Sequence, residues 1–300
     1  MWRRIAPEVD HLCLPRDRHL SRDEIERIDI AVFSSDLWTE QRGAPFMKVL
    51  LQAPNATWLH MFSAGLDNPV FAMLRERGLT VTHSAGSSAR PIAHTVIMQL
   101  IALCRDARPF AIGQQRREWL EREVVDVEGR RVGIVGLGGI GAEVARLATH
   151  FGMETIGLRR TPRGDEPCET WPVSRLHELL PTLDDLVLTA PLTDDTRNII
   201  GAHELALLPH GAHLVNVGRG ELIDESALIE ALRSGQLGGA ALDVFVTEPL
   251  PDDNPLWNMP NVIVTPHSAG ATPLAAQRAA DIFADNLDRW VHGMPLRNSE

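Results

Sequence analysis

Short apolar runs, continuous instead of alternating, mark the strands of this chain. Residues 132–135, 155–158, 186–189, 214–217, 240–244 and 262–264 read this way. Such runs are expected when both faces of a parallel sheet are covered. Segments with helical spacing lie between most of them, at 140–150, 173–180, 204–208 and 225–233. The first ninety residues alternate similarly. Strands are predicted at 28–33, 57–62 and 79–82, with a helix at 70–77 that Gly78 ends as a glycine cap does. A long apolar helix follows Pro91, which suits a first helical turn, and runs to about Arg105. Residues 114–123 are polar apart from Trp119 and Leu120, and read as a surface excursion or an arm gripping a second subunit. The last helix, 273–291, is amphipathic and can carry the chain back to the first block. This order predicts an α/β protein with two doubly wound parallel-sheet domains. Residues 1–92 with the C-terminal helix (273–300) form one, and 93–272 the other.

The bulk numbers narrow the class. A length of 300 residues suits two domains, and 44% hydrophobic with 23% charged residues suits a soluble protein with a sizeable core. Lys and Arg total 29 against 40 Asp and Glu, a formal charge of 29 − 40 = −11, which argues against nucleic acid as the main partner. The cysteines (Cys13, Cys104, Cys168) have neither metal-ligand nor disulfide spacing, so a reducing cytoplasm is the expected setting. No apolar run is long enough to span a bilayer, and residues 1–10 have no signal-peptide core.

The segment 132–141 reads VGIVGLGGIG, with glycines at G-x-G-x-x-G spacing after a strand and at the start of a helix. Gly136 permits the tight turn, Gly138 lets the backbone approach a pyrophosphate, and Gly141 lets helix and strand pack closely. Gly139 and Ile140 begin the helix, whose free N–H groups and positive end favour an anion. This predicts dinucleotide binding. An acid normally ends the next strand and holds the ribose hydroxyls of NAD. Here that place reads Leu158-Arg159-Arg160-Thr161. Two arginines suit the 2′-phosphate of NADP, since guanidinium binds phosphate bidentately. The plainer alternative is a solvated pair with relaxed cofactor choice. NADPH is therefore the expected preference, with NAD possible.

Arg219, Glu248 and His267 each follow a strand of the second block. In an open parallel sheet, ligands bind beyond the carboxyl ends of the strands. Reducing a 2-oxo acid needs a proton donor, which histidine can be. It also needs a carboxylate to orient that ring, and a positive fork for the substrate's carboxylate and carbonyl. Taken singly, each is as readily a surface or turn residue. His203, His210 and His213 flank a turn at Pro209 and Gly211 without ligand spacing, so no metal site is expected.

With these motifs, joined by Pro191-Leu192-Thr193, Thr196-Arg197 and the segments 216–220, 243–250 and 266–270, the chain resembles the D-isomer-specific 2-hydroxyacid dehydrogenases. The resemblance covers about residues 28–293. It implies a Rossmann cofactor domain inserted in a flavodoxin-like substrate domain. It assigns substrate binding to Arg219, support of the histidine to Glu248, and acid/base chemistry to His267. Backbone N–H groups of Ala64 and Gly65, in the loop 63–67, would take the substrate carboxylate. Asp243 would hold the nicotinamide carboxamide, and Val217 and Gly218 would help place the ring. Ala190 and Pro191 would lie beside the adenosine half, and Ala269 and Gly270 would complete the cofactor contacts. It also implies a homodimer, with 114–123 near the contact. Two features depart from the family's pattern: Ala93-His94 stands where Ala-Glu is usual, and the usual first strand is missing where Met1-Trp2-Arg3-Arg4 stands. With the sequence ending at Glu300, the regulatory domain of longer members is not expected.

The expected activity is thus a glyoxylate/hydroxypyruvate-type reductase, with a small 2-oxo or 2-hydroxy acid as substrate, cleft closure excluding water, and neither nucleic acid nor membrane as partner. One rival is a 3-phosphoglycerate dehydrogenase, but residues 63–69 lack the basic groups that substrate asks for. The other is a non-enzymatic dinucleotide sensor like the corepressors of this fold, which the absence of long disordered tails disfavours.

Overall fold

The structure is a computed structural model and describes residues 9–34, 36–66 and 68–299. The missing first strand expected at 1–4 and Asp67 of the 63–67 loop lie outside the described residues. The chain divides into two compact units. One comprises the described residues of Met1–Ser88 and Ala271–Glu300, the other Ala89–Gly270.

The first unit holds a three-stranded parallel sheet, β1 (Ile30–Phe33), β2 (Trp58–Met61) and β3 (Thr80–His83), in the order β1-β2-β3. All four residues of β2 are buried, because side chains cover both faces. Phe33, Leu50, Leu59, Leu74 and Val81 pack in one layer, and Trp58 meets Phe283 and Leu287 of the helix Pro273–Val291 in another. The helix Pro69–Glu76 starts where Asn68 caps the Val70 N–H and Pro69 fills the first turn. The helix Gly43–Gln52 was not expected from the sequence.

The second unit holds β4 (Arg131–Val135), β5 (Glu154–Arg159), β6 (Glu169–Pro172), β7 (Asp185–Leu188), β8 (Ala212–Asn216), β9 (Leu237–Leu242) and β10 (Val262–Val264). They form one parallel seven-stranded sheet in the order β10-β9-β8-β7-β4-β5-β6. Among the described residues the reversal of strand order that defines double winding occurs in this unit alone, between β4 and β7. Successive side chains alternate between two cores. Val132, Ile134, Val187, Val215 and Ala241 meet the helices Ala89–Cys104 and Gly139–His150. Leu158, Leu186, Leu188, Leu214 and Leu242 meet Leu179, Leu205, Leu228 and Leu232 on the other face. β6 was not predicted, and neither was the helix Ala107–Arg116, whose last turn takes in residues 114–116 of the polar excursion.

The amino-terminal edge of this sheet is closed by charge. The Arg130 guanidinium donates to both oxygens of Asp185, Nε to Oδ2 at 2.7 Å and Nη2 to Oδ1 at 2.8 Å. His213 Nδ1–H donates to Asp185 Oδ1 at 3.0 Å, and the Cys104 sulfur lies 4.0 Å from the same nitrogen. The Asp185 side chain is fully buried. Among the described residues no helix is long and apolar enough to cross a membrane.

Candidate active site

At the carboxyl edge of the seven-stranded sheet, the chain leaves β4 through Gly136, whose φ of +101° suits glycine. A side chain there would also strike the backbone of Ala190, 2.6 Å away, so the turns after β4 and β7 touch. Thr189 Oγ1 fastens them by donating to Gly136 O at 2.5 Å. The helix Gly139–His150 starts from Gly138 with no side-chain cap and no acid in its first turn. Nothing lies within 4 Å of where a Gly138 Cβ would stand. Gly141, by contrast, packs so closely that its Cβ would meet Gly136 O at 2.1 Å. Uncapped N–H groups, open space above Gly138 and tight packing below it fit the pyrophosphate of a dinucleotide.

Beyond β8, Asn216 is almost fully buried and ties the next loop to itself. Its Oδ1 accepts from Gly218 N at 3.0 Å, and its Nδ2 donates to Arg219 O at 2.7 Å. Val217 N is bound to Leu188 O, which sets Val217 and Gly218 beside the β7 turn. Arg219 is half-buried, and its Nη1 donates to Gly218 O at 2.7 Å. A side chain at Gly220 would stand 2.0 Å from the Phe245 carbonyl carbon and 2.3 Å from Val246 N. The loop bearing Arg219 is therefore pressed against the segment leading to Glu248.

Past β9, the Glu248 carboxylate accepts from Phe245 N at 3.0 Å through Oε1. Through Oε2 it accepts from His267 Nδ1–H at 2.8 Å. A donated Nδ1 proton leaves Nε2 as the nitrogen able to exchange a proton with a substrate. The two side chains remain 36% and 53% exposed, so a ligand can reach them. His267 itself has φ +47° and is held through its N–H by Asp243 O at 2.8 Å. The buried Asp243 carboxylate anchors the whole loop: Oδ1 accepts from Thr265 Oγ1 at 2.5 Å and Ser268 N at 3.0 Å, and Oδ2 from Ala269 N at 3.0 Å.

Of the residues expected from the sequence, Gly136, Gly138, Ala190, Val217, Gly218, Arg219, Asp243, Glu248, His267 and Ala269 lie on the loops at this edge, with Pro191 and Gly270 directly following, and Gly139, Ile140 and Gly141 open the helix Gly139–His150. Ala64 and Gly65 belong to the other unit, in the bend after β2. Arg159 ends β5, where its Nη1 donates to Glu166 Oε1 at 2.9 Å. Arg160 is 77% exposed, with Asp195 3.5 Å away. Sequence reasoning missed Asn216 and Thr265 as loop anchors, although a polar residue closing an apolar strand run is a visible signal. It also missed Glu166, for which no local signal exists. His203 meets neither His210 nor His213; its ring stands perpendicular to that of His177 at 5.2 Å, beside Glu204. His213 belongs to the Asp185 network instead.

Residues 97–269 match the model of the D-isomer specific 2-hydroxyacid dehydrogenase NAD binding domain. A glyoxylate/hydroxypyruvate reductase B from Pectobacterium carotovorum is 36% identical over 99% of this chain and 96% of its own length. A glycerate dehydrogenase from Methylorubrum extorquens is 33% identical over 82% of this chain and 79% of its own. Among solved structures, a D-isomer specific 2-hydroxyacid dehydrogenase from Xanthobacter autotrophicus in complex with NADPH superposes with a TM-score of 0.79 at 32% identity, covering 92% of this chain and 84% of that one.

Proposed function

The chain belongs to the D-isomer specific 2-hydroxyacid dehydrogenase family, and from that premise we propose that it is a glyoxylate/hydroxypyruvate-type reductase that prefers NADPH to NADH. The observation that carries the chemistry is the His267–Glu248 pair, joined at 2.8 Å on the loop edge that also bears Arg219. Gly136, Gly138, Gly139, Ile140 and Gly141 hold the cofactor's pyrophosphate. Ala190 and Pro191 flank its adenosine half. Val217, Gly218, Asp243, Ala269 and Gly270 place the nicotinamide ring. When bound, the reduced nicotinamide supplies a hydride for the 2-oxo carbon. His267 donates the proton to the carbonyl oxygen, and Glu248 keeps the ring aimed while its charge changes. Arg219 orients the substrate and stabilises the developing alkoxide. Ala64 and Gly65 offer backbone N–H groups to the substrate carboxylate.

Arg159 and Arg160 support the NADPH preference, because no carboxylate ends β5 to accept ribose hydroxyl hydrogens. The small, uncharged residues at 63–66 favour short 2-oxo acids over phosphorylated ones. The reductase works in the cytoplasm as a homodimer. Trp119, 91% exposed, supports the 114–123 segment as part of the contact. The deciding experiment measures kcat/KM for glyoxylate, hydroxypyruvate, pyruvate and phosphohydroxypyruvate with each cofactor. Glyoxylate or hydroxypyruvate with NADPH ranks first; phosphohydroxypyruvate ranking first, or equal use of NADH, rejects the reading.

A further inference from the structure

The loop after β5 is built around one carboxylate. Residues 160–165 are exposed, yet the Glu166 side chain is 6% exposed and turned back toward the end of β5. Its Oε1 accepts from Arg163 N at 2.7 Å and its Oε2 from Gly164 N at 2.7 Å. Gly164 has φ +90°, a conformation that suits glycine at this bend. The third donor is Arg159 Nη1, at 2.9 Å from Oε1. With the backbone N–H groups of Arg163 and Gly164 outweighing the cost of burial, and Arg159 adding to them, the Glu166 carboxyl is held at about 2 and stays ionised.

The contact with Arg159 is single-ended. It uses one terminal nitrogen, and among the described residues Nη2 and Nε of the same fork have no protein partner. An arginine on a strand end otherwise samples many rotamers, and a ligand that fixes it loses affinity to that ordering. Here that ordering is present in the protein alone. Arg160 has no comparable support: it is 77% exposed and its Asp195 neighbour is 82% exposed.

We propose that Glu166 is a positioning residue for cofactor choice: it holds Arg159 at the end of β5 by one nitrogen and leaves the rest of the fork for the phosphate on the adenosine ribose. This rests on the NADPH reading above. It implies that Arg159 and Arg160 are not equivalent, and that the first carries most of the discrimination. It also implies that the charge of Glu166 does not cancel the site, because two backbone N–H groups share that charge.

The test uses the full chain without turnover. Calorimetry measures binding of adenosine 2′,5′-bisphosphate and of 5′-AMP to wild type, Glu166→Gln, Glu166→Ala and Arg159→Ala, with melting curves confirming folding. Gln keeps the shape and can still accept from the backbone, but loses the charge toward Arg159. For Glu166→Ala, affinity for the bisphosphate falls about tenfold, and for Glu166→Gln about threefold, as expected for a loosened charge-assisted contact. Binding of 5′-AMP changes less than about twofold. The ratio of Kd for NADPH to Kd for NADH rises in parallel. Equal losses for both nucleotides would reduce Glu166 to loop support and overturn the proposal, and so would tighter bisphosphate binding, which makes it a competitor for Arg159. The control separates the two readings. If Arg159→Ala weakens the bisphosphate while both Glu166 variants match wild type, the positioning role alone fails. If Arg159→Ala also leaves the bisphosphate-to-AMP ratio unchanged, the NADPH reading and the proposal fall together.

Discussion

At the amino-terminal edge of the seven-stranded sheet, Asp185 is fully buried between Arg130 and His213, every carboxylate oxygen paired. At the carboxyl edge of the same sheet, His267 and Glu248 form a hydrogen bond of similar length but keep 53% and 36% of their side chains open. Both pairs join a histidine to a carboxylate. At one edge the histidine is locked into a network with a guanidinium already inside it. At the other, the carboxylate is steadied by a backbone N–H, and the ring's second nitrogen has no hydrogen-bond partner among the described residues. The lesson is that a histidine–carboxylate contact by itself specifies neither stability nor catalysis; access and the remaining donors decide.

The largest effect separating the two edges is expected from His267→Ala. It removes the proton donor, so kcat with a 2-oxo acid falls by about three orders of magnitude while the melting temperature and cofactor affinity hold. Near-normal steady-state rates would erase the distinction between the edges. The mirror experiment is Asp185→Ala, which strands Arg130 and His213 without their shared partner. Denaturant unfolding should show a loss of about 3–5 kcal/mol. Turnover per folded molecule should stay within about twofold, since distant sites act independently. If the variant is as stable as wild type, the closed edge is not a structural staple.

Acid sharpens the contrast further. Burial raises the proton affinity of Asp185, but hydrogen bonds from His213 and Arg130 outweigh it and hold the carboxyl below its ordinary 3.8. A depressed folded value means the unfolded chain binds the proton more readily. This contribution is complete above pH 3.8 and is lost as the pH falls below it. Asp185→Asn should therefore lack that part of the acid decline seen in wild-type unfolding curves; identical curves would refute it. The smallest effect is chemical. Burial, with Asp185 nearby, pushes the Cys104 thiol up to about 11. At pH 8 a thiol reagent should label the exposed Cys13 at once and Cys104 only on unfolding. Fast labelling of Cys104 in the native protein would show that the edge opens.

The sequence reveals most of the second unit because its strands are buried on both faces. β7 and β8 have no exposed residue, so 186–188 and 214–215 read as short apolar runs, while the buried Asp185, His213 and Asn216 stand at or near the strand ends. β6 escapes notice for the opposite reason: Glu169, Thr170, Trp171 and Pro172 form a partly exposed strand at the sheet's end. The helix Gly43–Gln52 buries Leu50 and half-buries Phe46 and Met47, but Gly43 and Pro45 in its first turn read as loop signals and mask it. The placement of Arg219, Glu248 and His267 on one edge was legible because each lies in a loop that follows a strand run, and strand ends in a parallel sheet share an edge. The capture of Arg159 by Glu166 was not, since it depends on how the loop folds back. Likewise no spacing rule brings His177, on the helix Leu176–Leu179, to His203 on Ala202–Leu207.

The tight seat of Gly220 against Phe245 and Val246 bears on how this site can change over generations. Two stretches about 25 residues apart in the chain, one bearing Arg219 and one bearing Glu248, meet backbone to backbone with no side chain to absorb a shift. A variant that enlarges residue 220 gains nothing until the second stretch also moves, so improvements there are reached by paired changes and are invisible to single ones. Randomised libraries aimed at new substrates will find the two stretches behaving as one inherited block, and will succeed more often by recombining whole pairs of loops than by saturating positions one at a time.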